Sequence, residues 1–208
     1  MKENKVVLIT GASSGIGAGT ALHFAAIGYK NLALVARQTE ELEKVAKACR
    51  GKGAPKVLTL TKDLSMPEQC QEVIEETVKE FGGRLDVLIS NAGILRKGTV
   101  RELSFEDFEM AMRVNLTASF LLTKYALPHL EKTKGTIVYN SSVAGKTNMK
   151  FRNIMFLFMN VHIRSISCSN AHSRHPPDFS IYGTTLSTTW AGASATTYIT
   201  PTHPDCYH

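Results

Sequence analysis

The amino-acid sequence predicts an α/β fold, a doubly wound parallel sheet, and three observations carry that reading. Short β-branched runs alternate with longer segments of helical period as far as about Lys150, the pattern of parallel strands joined by crossover helices. The first of those runs ends in a glycine-rich turn placed where a helix should begin. After Lys150 the texture changes: neither Lys nor Glu occurs again, Ser and Thr dominate, and five of the seven histidines fall in residues 151–208. The chain therefore divides into an α/β domain over residues 1–150 and a divergent, largely irregular tail over residues 151–208.

The first strand is "KVVLIT" (Lys5 to Thr10), and "TGASSGIG" (Thr10 to Gly17) follows it directly. A turn between a strand and a helix can aim free backbone N–H groups at an anion, and the helix dipole favours negative charge there. Gly11 suits the tight turn, Gly15 lets a ligand approach the backbone, and Gly17 lets the helix lie close on the strand. The glycines are offset by four and then two, which departs from the GxGxxG spacing of the common dinucleotide fingerprint. The remaining strands read as "NLALVA" (Asn31 to Ala36), "KVLTLT" (Lys56 to Thr61), "LDVLIS" (Leu85 to Ser90) and "GTIVYN" (Gly135 to Asn140), with helical patterns between them. In the tail, "NIMFLFMNVHI" (Asn153 to Ile163) fits a strand or a buried turn, most of the rest reads as loop or disorder, and Tyr182 reads as a loop residue.

Composition narrows the function. Lys and Arg total 24 against 18 Asp and Glu, but the lysines are scattered through amphipathic segments, so the surface is a solvated one and nucleic acid is not the expected partner. The apolar run of the tail is too short to span a membrane, and the N-terminal one is too short for a signal peptide. Cys49, Cys70, Cys168 and Cys206 form no CxxC pair, which suggests reduced thiols and a cytoplasmic location. "NLT" at Asn115 and "NSS" at Asn140 match glycosylation acceptors by letter only. Cys168, His172 and His175 lack a fourth ligand and a defined fold around them, so no metal site is expected.

Beyond the glycine loop, four further motifs follow in order: "KDL" (Lys62 to Leu64), "NAG" (Asn91 to Gly93), "VN" (Val114, Asn115) and "SSVAG" (Ser141 to Gly145). Together they resemble the short-chain dehydrogenase/reductase family, in particular its 3-oxoacyl-acyl-carrier-protein reductase-like members, over about residues 5–146. The resemblance implies a Rossmann-type sheet with a nicotinamide dinucleotide across the C-terminal ends of its strands. It places Gly11, Ser13, Ser14, Gly15, Ile16 and Gly17 around the cofactor, Asp63 and Leu64 at the adenine, and Asn91, Ala92 and Gly93 beside the fourth strand.

The second strand ends at Ala36 and Arg37 follows. An acid at this place holds a ribose 2′-hydroxyl, whereas a basic residue accommodates a 2′-phosphate, so the expected cofactor is NADP(H) in preference to NAD(H). A solvated first-turn charge is the alternative for Arg37.

The resemblance also implies carbonyl reduction or alcohol oxidation by hydride transfer on a small-molecule substrate. The family's tyrosine delivers the proton, and a lysine four residues on lowers its pKa. A serine bonds the reacting oxygen and an asparagine maintains a water path; Ser142 and Asn115 match these two by motif. The tyrosine position, about thirteen residues after the serine, falls on Met155, and Phe158, Met159 and Asn160 stand where the lysine would. No tyrosine in the chain has lysine at the fourth following position. Tyr139 lies three residues before Ser142, on the opposite face of a strand.

The expectation is therefore a truncated or mis-spliced dehydrogenase/reductase with impaired activity and incomplete C-terminal strands and helices. Gly135 to Asn140 would then be an exposed apolar edge prone to aggregation, and the family's homo-oligomer interface would be missing. A non-catalytic dinucleotide-binding protein whose tail contacts a partner is the alternative.

Overall fold

The computed structural model describes residues 2–96, 98–99, 101–140 and the backbone of two short strands at 165–167 and 181–182. The strands are β1 (Val6–Thr10), β2 (Asn31–Ala36), β3 (Lys56–Thr61), β4 (Val87–Ser90), β5 (Thr136–Tyr139), β6 (Ser165–Ser167) and β7 (Ile181–Tyr182). They form one sheet in the order β3-β2-β1-β4-β5-β6-β7. The pairs among the first five strands are parallel. Helices α1 (Gly15–Ala26), α2 (Thr39–Gly51), α3 (Pro67–Glu80), α4 (Phe105–Met112) and α5 (Ala118–Thr133) connect them. A π-helical turn, Arg113–Thr117, joins α4 to α5. This is a Rossmann-type arrangement.

Side-chain alternation along the central strand explains the two layers. Val6 and Leu8 of β1 pack into the core that includes residues of α3 and α5, while Val7 and Ile9 pack into the core that includes residues of α1 and α2. Every residue of β1 is buried, as expected for a strand covered on both faces. Burying each of these aliphatic side chains contributes about 1.5–3 kcal/mol, so removal of Leu8 would be felt throughout the sheet.

Two expectations are corrected here. β5 is not the sheet's edge: β6 pairs with it antiparallel, Thr136 opposite Ser167 and Ile137 opposite Ile166. Tyr182 is not in a loop but in β7, which pairs antiparallel with β6. Main-chain groups left unpaired along β5 would expose a row of donors and acceptors, and an antiparallel return of only three residues satisfies part of that row. Residues 153–163 lie outside the described residues. Among the described residues no helix is long and apolar enough to cross a membrane.

Candidate cofactor-binding site

The turn after β1 is built from backbone conformations that favour glycine. Gly11 and Gly15 have φ of 65° and 54°, in the left-handed region. A Cβ on Gly17 would lie 2.1 Å from the carbonyl oxygen of Gly11, so this glycine sets the close approach of α1 to the loop. At Gly15 a Cβ would meet nothing within 4 Å, which leaves its outer side open to a ligand. Ser14 occupies the N-cap of α1 in an extended conformation, yet its side chain makes no hydrogen bond to the first helical turn. Those first-turn donors thus face the loop's open side and suit an anion.

The loop forms one end of a groove of about 420 Å³ across the C-terminal ends of the parallel strands. Gly11, Ser13, Ser14, Gly15, Ile16, Gly17, Arg37, Asp63, Leu64, Asn91, Ala92 and Gly93 all line it, which brings together every cofactor residue expected from sequence. Ala36, Gln38, Lys62, Ile94, Val114 and Asn140 line it too, although the sequence did not single them out for this role. Of these, Ala36 and Asn140 carried a signal as the last residues of strands, and Lys62 and Val114 as members of the "KDL" and "VN" motifs.

Asn91 ties the groove's floor together. Its side-chain amide donates to the carbonyl of Thr10 at 2.9 Å and to that of Gly11 at 3.4 Å. The backbone N–H groups of Asn91 and Ala92 donate to the Thr10 hydroxyl oxygen at 2.9 and 3.0 Å. That hydroxyl in turn donates to the carbonyl of Ile89. The glycine turn is thereby fixed to the end of β4 by side chains buried or half-buried in the sheet's rim.

At the far end of the groove, the Asp63 carboxylate accepts from the Ser65 backbone N–H at 2.9 Å, and Gln69 accepts from the Asp63 N–H at 2.6 Å. Leu64 is buried beneath this turn. Arg37 is exposed at the end of β2 and makes no ion pair among the described residues. Lys62, the second basic lining residue, has its ammonium 2.6 Å from Glu72 and 2.7 Å from Glu76.

Asn115 sits in the π-helical turn and does not line the groove, whereas its neighbour Val114 does. Its side-chain carbonyl accepts from the Ile94 N–H at 2.8 Å and its amide donates to the Ile94 carbonyl at 3.0 Å. The residue thus clamps the segment after β4 to the helix. π-turns of this kind are frequent at functional sites. Tyr139 lies on the opposite side, with its hydroxyl 2.5 Å from Thr123 Oγ1 and its ring against the α3 and α5 core. Ser142, Met155, Met159, Cys168, His172 and His175 lie outside the described residues. Among the described residues no cluster of His, Cys, Asp and Glu could hold a metal ion.

An open positive-φ turn, an uncapped helix N-terminus and a groove ending at a guanidinium with no ion pair among the described residues fit a dinucleotide diphosphate and its adenine half. The sequence profile of the short chain dehydrogenase family matches residues 5–154. The chain is 45% identical over 139 residues to 11-beta-hydroxysteroid dehydrogenase-like 2 of Arabidopsis thaliana, covering 66% of this chain and 44% of that protein. It is 40% identical over 144 residues to 11-beta-hydroxysteroid dehydrogenase of Pinus massoniana, covering 69% and 40% respectively. The chain thus spans less than half the length of these curated relatives. Among solved structures, levodione reductase superposes with a TM-score of 0.67 at 32% identity, covering 73% of this chain and 59% of that one. An alcohol dehydrogenase from the archaeon Thermococcus sibiricus, complexed with 5-hydroxy-NADP, gives 0.67 at 33% identity, covering 71% and 62%. Groove, strand order and sequence agree: the chain belongs to the short-chain dehydrogenase family, oxidoreductases that bind an NAD(P) nucleotide.

Proposed function

We propose that this chain binds NADP(H) in preference to NAD(H), and that its family reaction, reduction of a carbonyl or oxidation of an alcohol, is impaired by loss of the proton donor. One observation carries the cofactor choice: Arg37 makes no ion pair among the described residues and stands at the groove end of β2, where Ala36, not an acid, ends the strand. The adjacent first turn of α1 offers N–H donors to the diphosphate, and Asp63 and Leu64 shape the adenine end.

A dinucleotide held by the α1 turn and Arg37 would supply the hydride for a carbonyl carbon, whose oxygen must also gain a proton. In this chain Met155 stands at the tyrosine position of the family and no Tyr-x-x-x-Lys occurs. General acid catalysis contributes about 10²–10⁴-fold, so turnover falls by at least about a hundredfold. The composition break after Lys150 and the family match ending at residue 154 support replacement of the segment that carried the acid. Free, buried Cys49 and Cys70 support a reducing, cytoplasmic setting.

Calorimetric titration tests the cofactor reading: NADPH binds more tightly than NADH, and Arg37→Ala removes the difference. Equal affinities in the unaltered chain overturn it. A hydroxysteroid and its oxo form, suggested by the relatives' names, are the first substrate pair to assay. Catalysis at the rate of a relative bearing Tyr-x-x-x-Lys would refute the impairment. Sequencing the transcript and its locus tests the replacement, with a neighbouring frame or exon encoding the missing motif as the expected finding.

A further inference from the structure

The second cation of the groove, Lys62, follows β3, the strand paired with the one that Arg37 follows. The parallel register pairs Ala36 of β2 with Thr61 of β3, and the Lys62 N–H donates to the Ala36 carbonyl at 3.1 Å. One residue beyond that last rung, Arg37 and Lys62 follow on adjacent strands, whose backbones are about 4.8 Å apart in any sheet. Both line the groove. They differ in their surroundings: Arg37 has no carboxylate partner among the described residues, whereas Lys62 is bracketed by Glu72 and Glu76, one turn apart on α3. Neither glutamate lines the groove.

We propose that Lys62 is a second 2′-phosphate cation of this groove, withheld by Glu72 and Glu76, so that these two α3 carboxylates set how strongly the groove prefers a 2′-phosphorylated nucleotide. The inference rests on reading the groove as a dinucleotide site. One ammonium against two carboxylates leaves the Lys62 cluster with net negative charge beside the phosphate position, which offsets part of the attraction of Arg37. The restraint is electrostatic and not steric, because lysine has a flexible four-carbon stem and can follow a nearby anion once released. Hydrogen bonds that the Lys62 ammonium donates to Glu72 and Glu76 also push its pKa above its ordinary value, so the group is a cation throughout the neutral range. Both glutamate side chains are about half exposed, at 46%, and such pairs contribute little to stability, so their removal leaves the fold intact.

The test uses the full chain and two probes, adenosine 2′,5′-bisphosphate and AMP, whose affinity ratio isolates the 2′-phosphate. Glu72→Gln with Glu76→Gln raises that ratio about threefold or more, and each single variant gives an intermediate value. Adding Lys62→Met to the double variant abolishes the gain. An unchanged ratio in the double variant, or a gain that survives Lys62→Met, overturns the proposal. Arg37→Ala separates it from the NADP(H) reading. If Arg37→Ala leaves the ratio unaltered while the glutamine variants raise it, the Arg37 assignment falls and the Lys62 role stands. If neither probe binds any form of the chain, both fall together.

Discussion

Asn140 donates its side-chain amide to the side-chain carbonyl of Asn91 across 2.8 Å, joining the end of β5 to the end of β4 at the groove. The bond fixes the sense of the Asn91 amide, whose NH₂ must then face the carbonyls of Thr10 and Gly11. Three strand ends, β1, β4 and β5, are locked through two side chains.

Replacing Asn140 by Asp opposes two oxygens across that contact and releases the Asn91 amide from its orientation. Asn140 is exposed, so dinucleotide affinity is expected to fall only about threefold, in the range for the net loss of one hydrogen bond. Asn140→Ala is expected to cost less, because it removes the donor without adding repulsion. Binding isotherms of the two variants check the order.

Gly17 and Gly19 share helix α1 but should respond oppositely to alanine. A Cβ at Gly17 collides with the Gly11 carbonyl at 2.1 Å, so Gly17→Ala is expected to cost about 3 kcal/mol and to abolish cofactor binding. At Gly19 a Cβ meets nothing within 4 Å, and Gly19→Ala is expected to stabilise the helix by about 0.5–1 kcal/mol. Urea unfolding of both variants reads the contrast.

Asp86 is 2% exposed, accepts from the Val6 N–H at 2.9 Å and receives both Arg84 Nε and an Arg84 terminal nitrogen, at 2.8 and 2.7 Å. Arg84→Ala leaves a buried carboxylate short of its cation and is expected to cost about 3 kcal/mol. Asp86→Ala leaves an unpaired Val6 N–H and an arginine that can reach water, and is expected to cost less, about 1–3 kcal/mol. Equal losses in the two variants would contradict this account of the pair.

Burial pushes the thiols of Cys49 and Cys70 up to about 11 from 9.0. Above pH 9 the unfolded chain releases these protons before the folded one does, so folding stability is intact below about pH 9 and declines as pH rises toward 11. The urea midpoint should therefore drop across that window. A Cys49→Ala, Cys70→Ala double variant should show a shallower drop, and both native thiols should resist alkylation at pH 8 until the chain unfolds.

Much of this architecture was legible in the residues. The expected bounds of β2 and β3 coincide with the observed ones, while β4 begins at Val87 instead of Leu85. The dinucleotide loop was legible because its backbone demands glycine at 11 and 15, a requirement that acts within a few bonds. Lys62 and Asn140 were not, because their partners lie ten and fourteen residues away on a helix and 49 residues away just past the end of another strand. β6 offers only the three residues Ser-Ile-Ser, too few to carry a period, so nothing in them foretold the antiparallel pairing that covers β5.

By itself the sequence determined the alternation of strands and helices, the glycine turn, the basic residue at the end of β2 and the absence of Tyr-x-x-x-Lys. These depend on local propensity, on hydrophobic period and on residue identity, none of which needs a third dimension. Only the tertiary structure decided that Asn115 clamps Ile94 and lies outside the groove lining, that Arg37 has no ion pair among the described residues while Lys62 is bracketed, and that the end of β5 is tied to Asn91. Each of those outcomes is set by how side chains far apart in the chain meet, and that is fixed by packing the helices onto a twisted sheet rather than by any stretch of residues read alone.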